Sequence, residues 1–566
     1  MSESDNGRQA AESQSREQLL NDYCSSDLLS GEGLRYLFDR HALTPNNNKG
    51  SSNYDGSFSR ACRNDSVTEA IIRCLIEYFP RAARSIDENG TTPLHVACGN
   101  KSMTRGIVQL IIDSAPDSVH SVDIHGSMPL HCLCRNKSID ETALGEIKQL
   151  LLEKHPKAVR HADDEGSLPV HIAANTAKSP DFCRALIDAY PGSERISDAF
   201  GSLPLHYACC GGTVATVECL RKLYPYAINH ATADGFYPIH YAIIGLSKRA
   251  NPECAIETVQ YLLYCDSKVK FQKLRGMISL LHYACRGNYN DSNIDAALEI
   301  VKTIYDAHPE AIEDEGIARN IRRCHQQVQA FINSEMVYAR QAKNRSLMNT
   351  PDDIGQLPLY TALQNNVRLG SIKLLVKGNP SAIRSFDDNG AIPLHVVCQH
   401  HDSASVVGYI ISLANITTYT IDREGNTALH YACRGAKYET ISLLLDKYDA
   451  VSVSKRNAHK ELPIDLLWES NAVEDRVSVG YTGCVFRLLK AYPETAMNVC
   501  TEVQYTFNDG PNINHSGNGK KRKLGSEYLV AGNVTDLSLF AKCNFASKSS
   551  KYFHNSSVHF IHLVRV

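Results

Sequence analysis

GTTPLHVAC at residues 90–98 decides the fold, because variants of this stretch recur along the chain. They read GSMPLHCLC (126–134), GSLPVHIAA (166–174), GSLPLHYAC (201–209), GFYPIHYAI (235–243), SLLHYAC (279–285), GQLPLYTAL (355–363), GAIPLHVVC (390–398) and GNTALHYAC (425–433). Two weaker copies, GSFSRAC (56–62) and ELPIDLLW (461–468), bracket the series. A spacing of about 35 residues is typical of a repeat protein. The sequence therefore predicts one array of stacked units instead of separate globular domains.

Each unit combines a turn, a short helix, a loop and a second helix. A D-x-x-G stretch such as Asp87 to Gly90 supplies the turn, since Gly readily adopts a positive φ. Proline three residues later suits the first turn of a helix, where its missing N–H costs nothing. The second segments, such as IIRCLIEYFP (71–80) and VFRLLKAYP (485–493), have apolar residues three and four apart, as an amphipathic helix requires.

TPLHVA at 92–97 and its recurrences resemble the ankyrin repeat, whose signature is T-P-L-H-x-A. The resemblance runs over residues 56–500. It implies an all-α repeat solenoid of stacked helix-turn-helix units with short β-turn or hairpin fingers. The long period, and Pro-x-Ala at Pro80, Pro225, Pro309 and Pro380 instead of Gly-Ala, resemble ankyrin families expanded in unicellular algae. The implied role is that of a non-enzymatic scaffold or adaptor, which binds a protein partner through its finger tips and concave surface.

The repeats divide the chain into five segments. We expect a mostly disordered N-terminal arm at 1–54 with an apolar docking stretch at 19–38, then repeats at 55–315 and again at 351–500. An interruption at 316–350 separates the two blocks, and the repeat pattern is lost in a flexible basic tail at 501–566.

The interruption carries its own helical pattern. Residues Ile317, Ile321, Cys324, Val328 and Phe331 have helical spacing and predict one helix with a single apolar seam, with a coiled coil over 317–345 as one form. Its other faces are basic, with six Arg or Lys residues against Glu335. A degenerate repeat, a hinge and a protruding basic helix that reaches an acidic partner all fit this pattern.

Composition and charge narrow the class of protein. The 566 residues carry 59 Lys+Arg against 62 Asp+Glu, a formal charge of −3 that gives no global support for nucleic-acid binding. The start of the chain has no basic, apolar leader, and no apolar run is long enough to span a membrane. We therefore expect a cytoplasmic monomer with reduced cysteines. The alternative is a nuclear, transcription-associated regulator that uses the basic run Lys520, Lys521, Arg522 and Lys523 as an import signal.

Histidine and cysteine recur at fixed places in the motif, which marks them as framework. The resemblance implies that the histidines tie neighbouring units together: His95, His131, His171, His206, His240, His282, His395 and His430. Cys62, Cys98, Cys134, Cys209, Cys285, Cys398 and Cys433 suit tight helix packing, whereas Cys24, Cys500 and Cys543 in the flanks should react quickly. His395, Cys398, His400 and His401 have metal-ligand types, but the first two are framework positions, so no metal is expected. The sequence has no phosphate-binding loop and no hydrolase or metalloprotease motif, so we expect no enzyme activity, cofactor or small-molecule substrate.

Positions that vary between units while lying in turns are the candidates for partner binding. The residue before the turn glycine is Asn89, His125, Glu165, Phe200, Asp234, Ile354, Asn389 or Glu424. Phe236 follows the next glycine after Phe200, and with Tyr237 the three rings would form an exposed aromatic patch. An arginine also recurs after the short helix, either as a helix C-terminal cation or as an anion-contacting row: Arg63, Arg135, Arg286 and Arg434.

Overall fold

The computed structural model describes residues 17–41, 55–249, 251–287, 289–352, 356–413, 420–447, 453–470 and 479–491. Regular structure in these ranges consists of α-helix and 3-10 helix with no strand, apart from an isolated bridge between Lys273 and Ser279. This confirms the predicted all-α helical repeat architecture. The backbone divides into two compact units, Met1–Ser334 and Glu335–Val566.

In the first unit the helices come in pairs. The first helix of each pair is Asp55–Arg63, Pro93–Gly99, Pro129–Arg135, Pro169–Asn175, Pro204–Gly211, Pro238–Gly245 or Leu280–Cys285. The second helices are Glu69–Tyr78, Arg105–Ser114, Glu141–Lys154, Pro180–Ala189, Val214–Leu223, Glu253–Cys265 and Ile294–Ala307. A 3-10 helix follows each pair: Ala82–Arg84, Pro116–His120, Pro156–Arg160, Ser193–Arg195, Pro225–Asn229, Val269–Phe271 and Pro309–Glu313.

The second unit has the same kind of pair. Its first helices are Pro358–Gln364, Pro393–His400, Ala428–Arg434 and Pro463–Glu469, and its second helices are Leu369–Gly378, Ala404–Leu413, Tyr438–Leu445 and Val479–Ala491. A short helix Arg345–Asn349 precedes the first pair, and a 3-10 helix Pro380–Arg384 follows it.

Local chemistry explains where these helices begin. Most first helices begin with proline at the position whose N–H would have no helical partner. Several second helices begin after a threonine or serine whose hydroxyl accepts a backbone N–H, as Thr104 does from Ile107 at 3.3 Å. The first helix then buries most of its side chains, and Leu94, Ala97 and Cys98 are fully buried. The core therefore lies where first and second helices of neighbouring repeats pack together.

The apolar part of the N-terminal arm is folded and packs on the first repeat. Residues 17–25 are helical and Gly31–Arg40 forms a second helix, whose Phe38 ring lies 4.3 Å from Tyr78 and 5.5 Å from Phe79. The expected fast reaction of Cys24 is wrong: its side chain is fully buried, and burial raises the pKa of its thiol to about 12. Cys500 and Cys543 lie outside the described residues.

The interruption is not the single helix that its spacing predicts. The chain forms a helix at Glu315–Asn320, a 3-10 turn at Ile321–Arg323 and a longer helix at Gln326–Lys343. At the break, the Gln329 side-chain amide donates to the carbonyl of Cys324 at 2.7 Å, so that carbonyl bonds to a side chain instead of continuing the helical ladder. The boundary between the two units falls inside the longer helix.

This segment also lacks the turn that opens the other repeats. The 3-10 helix Pro309–Glu313 is followed at once by Asp314, which caps the next helix by accepting the N–H of Gly316 at 2.8 Å. Elsewhere in the first unit, about eight residues separate the 3-10 helix from the next first helix. We call residues 314–343 the fingerless segment.

Candidate interaction surface

Five of the eight framework histidines use both ring nitrogens: His95, His131, His171, His395 and His430. Nδ1 accepts the backbone N–H that precedes the helix, as in His131 from Met128 at 3.1 Å and His171 from Leu168 at 3.0 Å. Because Nδ1 accepts, the neutral ring carries its proton on Nε2. That nitrogen donates to a carbonyl of the following turn, from His95 to Ser127 at 3.0 Å and from His131 to Ser167 at 3.3 Å. One side chain therefore caps its own helix and holds the next repeat.

The same geometry recurs in the second unit, where His395 donates to Thr420 at 3.1 Å and His430 to Glu461 at 3.3 Å. Burial lowers the pKa of these imidazoles, because the charged form loses its hydration. The pKa falls to about 4 for His131, His240 and His430 and to about 3 for His206. The rings are therefore neutral at physiological pH and serve packing and hydrogen bonding.

Other repeats separate the two roles of the histidine. His206 and His240 keep the cap, but their Nε2 atoms have no hydrogen-bond partner among the described residues. Tyr360 takes the histidine position and its hydroxyl donates to the Ser385 carbonyl at 2.6 Å, so it keeps the tie to the next turn. Asp465 accepts the N–H of Leu462 at 2.7 Å, so it keeps the cap. His282 has neither bond, because Ser279 caps its helix and its Nε2 faces the Asn320 side chain at 3.4 Å.

The D-x-x-G turns and the turns at the same place in other repeats form fingers. In the first unit, fingers 1 to 4 are the D-x-x-G turns at 87–90, 123–126, 163–166 and 198–201, finger 5 is Thr-Ala-Asp-Gly at 232–235, and finger 6 is Leu-Arg-Gly-Met at 274–277. In finger 1, the Asp87 carboxylate accepts the N–H groups of Asn89 at 2.9 Å and Thr91 at 2.8 Å. Gly90 has a φ of 71°, a conformation in which a side chain would be strained. Sequence and structure therefore agree on why Asp and Gly flank the tip.

Consecutive fingers are joined through their backbones. The N–H of Ile124 donates to the Asn89 carbonyl at 2.9 Å, and the N–H of Asp164 to that of His125 at 3.0 Å. The series continues with Ala199 to Glu165 and Ala233 to Phe200, each at 2.9 Å. In the second unit Arg423 bonds to Asn389 at 3.0 Å and Ala458 to Glu424 at 2.8 Å.

Six of the predicted partner-binding residues are therefore the ones whose carbonyls hold the neighbouring finger. Their side chains remain exposed, as does that of Asp234: Asn89, His125, Glu165, Phe200, Asn389 and Glu424. Phe200 is 53% exposed. The tips thus display variable side chains on a backbone that is fixed by hydrogen bonds.

Phe236 does not belong to this exposed set. It is half-buried, and its ring centroid lies 6.4 Å from that of Tyr241 and 6.0 Å from that of Tyr283. Tyr237 is half-buried too, with its ring 5.9 Å from His240. The predicted exposed patch of three aromatic rings is wrong, because two of them turn onto the first helices, where neighbouring rings offer apolar surface.

In the first unit the first helices meet the bases of the fingers along one face, which we call the inner groove. Its floor consists of the residue that follows the framework histidine, which is half-buried in every repeat: Val96, Cys132, Ile172, Tyr207, Tyr241 and Tyr283. The Tyr207 hydroxyl donates to Asp198 of finger 4 at 2.6 Å, and the Tyr241 hydroxyl lies 2.8 Å from the Ser202 hydroxyl. The floor therefore lies directly against the bases of the fingers.

Sequence reasoning missed a second connection between repeats. The Asn100 side chain donates to the carbonyls of Cys62 and Asn64, both at 2.9 Å, and Asn136 donates to those of Cys98 at 3.1 Å and Asn100 at 3.0 Å. Asn64 makes the same pair of bonds to residues 24 and 26. The available signal was Asn-x-Ser just after three consecutive first helices.

The candidate metal cluster is divided among other contacts. His395 and Cys398 are buried in the framework, and His401 Nε2 lies 2.8 Å from the Val367 carbonyl, while His400 is exposed. Within the described ranges no group of three His, Cys, Asp or Glu side chains could hold a metal ion. The recurring arginines Arg63, Arg135, Arg286 and Arg434 are exposed. Ile354 and the four residues of the basic run, Lys520 to Lys523, lie outside the described residues.

An open pocket of 520 Å³ lies between the bases of fingers 5 and 6, lined by Asn229, Tyr237, Lys268, Phe271, Gln272 and Lys273.

None of the described helices is long and apolar enough to cross a membrane.

Helix pairs that stack through bonded fingers define a helical repeat protein. Comparison with known families agrees: the model of the ankyrin repeat matches residues 89–124, and a model of three ankyrin repeats matches residues 170–270 and 359–457. Residues 89–124, 170–270 and 359–457 of the chain therefore contain ankyrin repeats. No curated protein matches it. Among solved structures, the human ASB11 ankyrin repeat domain is similar at 18% identity and a TM-score of 0.33, over 44% of this chain and 97% of that one.

Ankyrin repeats are in general non-enzymatic modules for protein–protein interaction. Protein binding is therefore the general role that the fold assigns to this chain.

Proposed function

We propose that this chain is a non-catalytic scaffold or adaptor that binds a protein partner through its finger tips and inner groove. The observation that carries this proposal is the ridge of tips in the first unit. Each tip is held by a hydrogen bond to its neighbour, while its variable side chain faces solvent. A binding surface gains affinity when its contact groups are held in place before the partner arrives, since less conformational entropy is lost.

Phe200 is the sharpest probe of this surface, because aromatic residues are frequent hot spots and its ring is 53% exposed. The full chain and its Phe200→Ser variant would be immobilised and compared for recovery of partners from a lysate of the source cell. Tyr264, 89% exposed on the second helix Glu253–Cys265, provides the matched control as Tyr264→Ser. We expect loss of specific partners with Phe200→Ser, an unchanged set with Tyr264→Ser and the same thermal melting curve for both. Equal recovery by all three proteins would contradict the proposal for this surface.

A second candidate role follows from the sequence KKRK at 520–523, as a nuclear regulator that carries the same repeats. A fluorescent fusion of the full chain should then accumulate in nuclei. Replacement of Lys520, Lys521, Arg522 and Lys523 by alanine should abolish that accumulation. Cytoplasmic fluorescence from the intact fusion would remove this role.

A further inference from the structure

We infer that the inner groove of the first unit binds an extended basic segment of a partner protein, with an apolar residue at every third position. This inference rests on the proposed function and specifies the chemistry of the partner. Two features of the groove carry it: the spacing of its floor and the charge of its rim.

The floor presents one apolar side chain per repeat, in the same register from Val96 to Tyr283. Packed helices lie about 8–10 Å apart. A polyproline II chain has three residues per turn and rises about 3.1 Å per residue, so it repeats every ~9 Å on one face. A β-strand would place side chains on one face every ~7 Å and lose register with the floor. The floor therefore fits a segment with a period of three and suits polyproline II better than a strand.

The rim that the fingers form is acidic along the first five of these six repeats. Fingers 1 to 5 contain no Lys or Arg, and their acids are Asp87, Glu88, Asp123, Asp163, Asp164, Glu165, Asp198 and Asp234. The first Asp of a finger is occupied by the turn, but Glu88, Asp164 and Glu165 are exposed. No ion pair to these three side chains occurs in the described part of the chain. Charge complementarity thus selects Lys or Arg between the apolar positions.

The charge reverses at finger 6. Its tip contains Arg275 and no acid, and Lys268 and Lys273 are exposed beside it. A basic segment would be repelled there, so its basic part ends before finger 6. The surface consequently fixes the position of the partner along the groove as well as its charge.

The probe is a fluorescein-labelled peptide of five Leu-Pro-Lys triplets, titrated with the full chain at low salt and followed by fluorescence anisotropy. Five Ser-Pro-Lys triplets keep the charge without the apolar residues, and five Leu-Pro-Glu triplets reverse the charge. We expect the Leu-Pro-Lys peptide to bind at least about 10-fold more tightly than either control, and more weakly as salt rises.

The rim is tested with the triple variant Glu88→Gln, Asp164→Asn and Glu165→Gln. The matched control removes the same charge from exposed positions on second helices, by Glu146→Gln, Asp188→Asn and Glu257→Gln. Each exposed ion pair contributes only a little binding free energy, so we expect about 10-fold weaker binding when all three acids of the rim are removed. The control should change binding by less than about twofold, and both should melt as the parent does.

Equal loss in the two triple variants, or equal binding of the Ser-Pro-Lys peptide, would overturn the inference. Self-association of the chain that the rim variant abolishes would show a second copy in the groove and would also overturn it. If Phe200→Ser loses partners while the Leu-Pro-Lys peptide does not bind, the inference fails and the proposed function stands. Specific peptide binding with no loss of partners would place the failure in the proposed function instead.

Discussion

The repeats between residues 89 and 245 and the segment that follows them, 269–343, show what a histidine motif needs from its surroundings. In the former, His95 and His131 each bond to a carbonyl of the next finger. In the latter, the fingerless segment follows His282, and the ring faces Asn320 instead. The histidine thus lacks this bond where no finger follows it, and the Nε2 atoms of His206 and His240 have no hydrogen-bond partner among the described residues even though a finger follows each. The recurrence of a motif in sequence does not by itself guarantee a recurring bond.

The two regions also differ in their finger turns. Fingers 1 to 5 have glycine at the left-handed position, whereas finger 6 has Met277 there with a φ of 63° and a 70% exposed side chain. In finger 3, a Cβ on Gly166 would lie 2.7 Å from the backbone nitrogen of Ala199 in finger 4. In the regular fingers glycine is therefore required both by its positive φ and by the close approach of the next finger. Finger 6 has no such neighbour, because the fingerless segment follows it.

Acidification should produce the largest difference in stability between the two regions. The folded pKa values of His131, His206 and His240 lie at about 4, 3 and 4, below the unfolded value of about 6.5. The unfolded state then binds more protons, so stability is full above pH 6.5 and falls as the pH drops toward 4, by up to about 1.4 kcal/mol per pH unit for each histidine. Amide hydrogen exchange should show protection lost in 93–245 before 269–343. Simultaneous loss in both regions would contradict the prediction.

Removal of one histidine should lower the free energy of unfolding by less than acidification does. The loss should still differ between the two regions. His131→Ala leaves the Met128 N–H and the Ser167 carbonyl without their bonds, and we expect a loss of about 2–4 kcal/mol. His282→Ala removes packing and one weak contact, so it should cost less than half as much. Urea unfolding followed by circular dichroism provides the comparison. Equal losses would show that burial of the ring, rather than its bonds, sets the cost.

The smallest predicted effects have opposite signs in the two regions. Gly166→Ala should destabilise the chain by about 2 kcal/mol, through strain and the contact with finger 4. Met277→Gly should stabilise it by about 0.5–1 kcal/mol, since relief of the left-handed strain exceeds the added flexibility of the unfolded chain. Thermal unfolding of both variants tests this pair. A destabilised Met277→Gly variant would show that the methionine side chain contributes packing.

Recurrence explains which features the sequence predicted. The framework histidines and the turn glycines were identifiable because each occupies the same place in many copies, and a local turn fixes its own chemistry. Asn100 was missed because the carbonyls it binds lie 36 and 38 residues away, and nothing local marks them as its acceptors. Phe236 was misplaced because its orientation depends on Tyr241 and Tyr283, which lie on neighbouring first helices.

The break at Cys324 shows the limit of periodicity. Apolar spacing across Ile317 to Phe331 fits one helix, yet the chain uses the first part as a short first helix and the rest as a long second helix. A missing finger leaves no residue pattern of its own, so it is visible only as a shortened distance between motifs. Cys24 was misjudged for a related reason, since its burial comes from the packing of 17–41 on the first repeat.

The array of repeats has a direction, because Nδ1 of the histidine bonds within its own repeat and Nε2 bonds toward the next repeat. In five repeats the ring accepts from its own repeat and donates toward the next one, so these copies present the same acceptor behind and the same donor ahead: His95, His131, His171, His395 and His430. A gene segment that encodes one such unit could be duplicated or deleted between two others and the hydrogen bonds at both junctions would re-form. Asp465 has acceptors only, so a unit built on it can close such a series but cannot extend it.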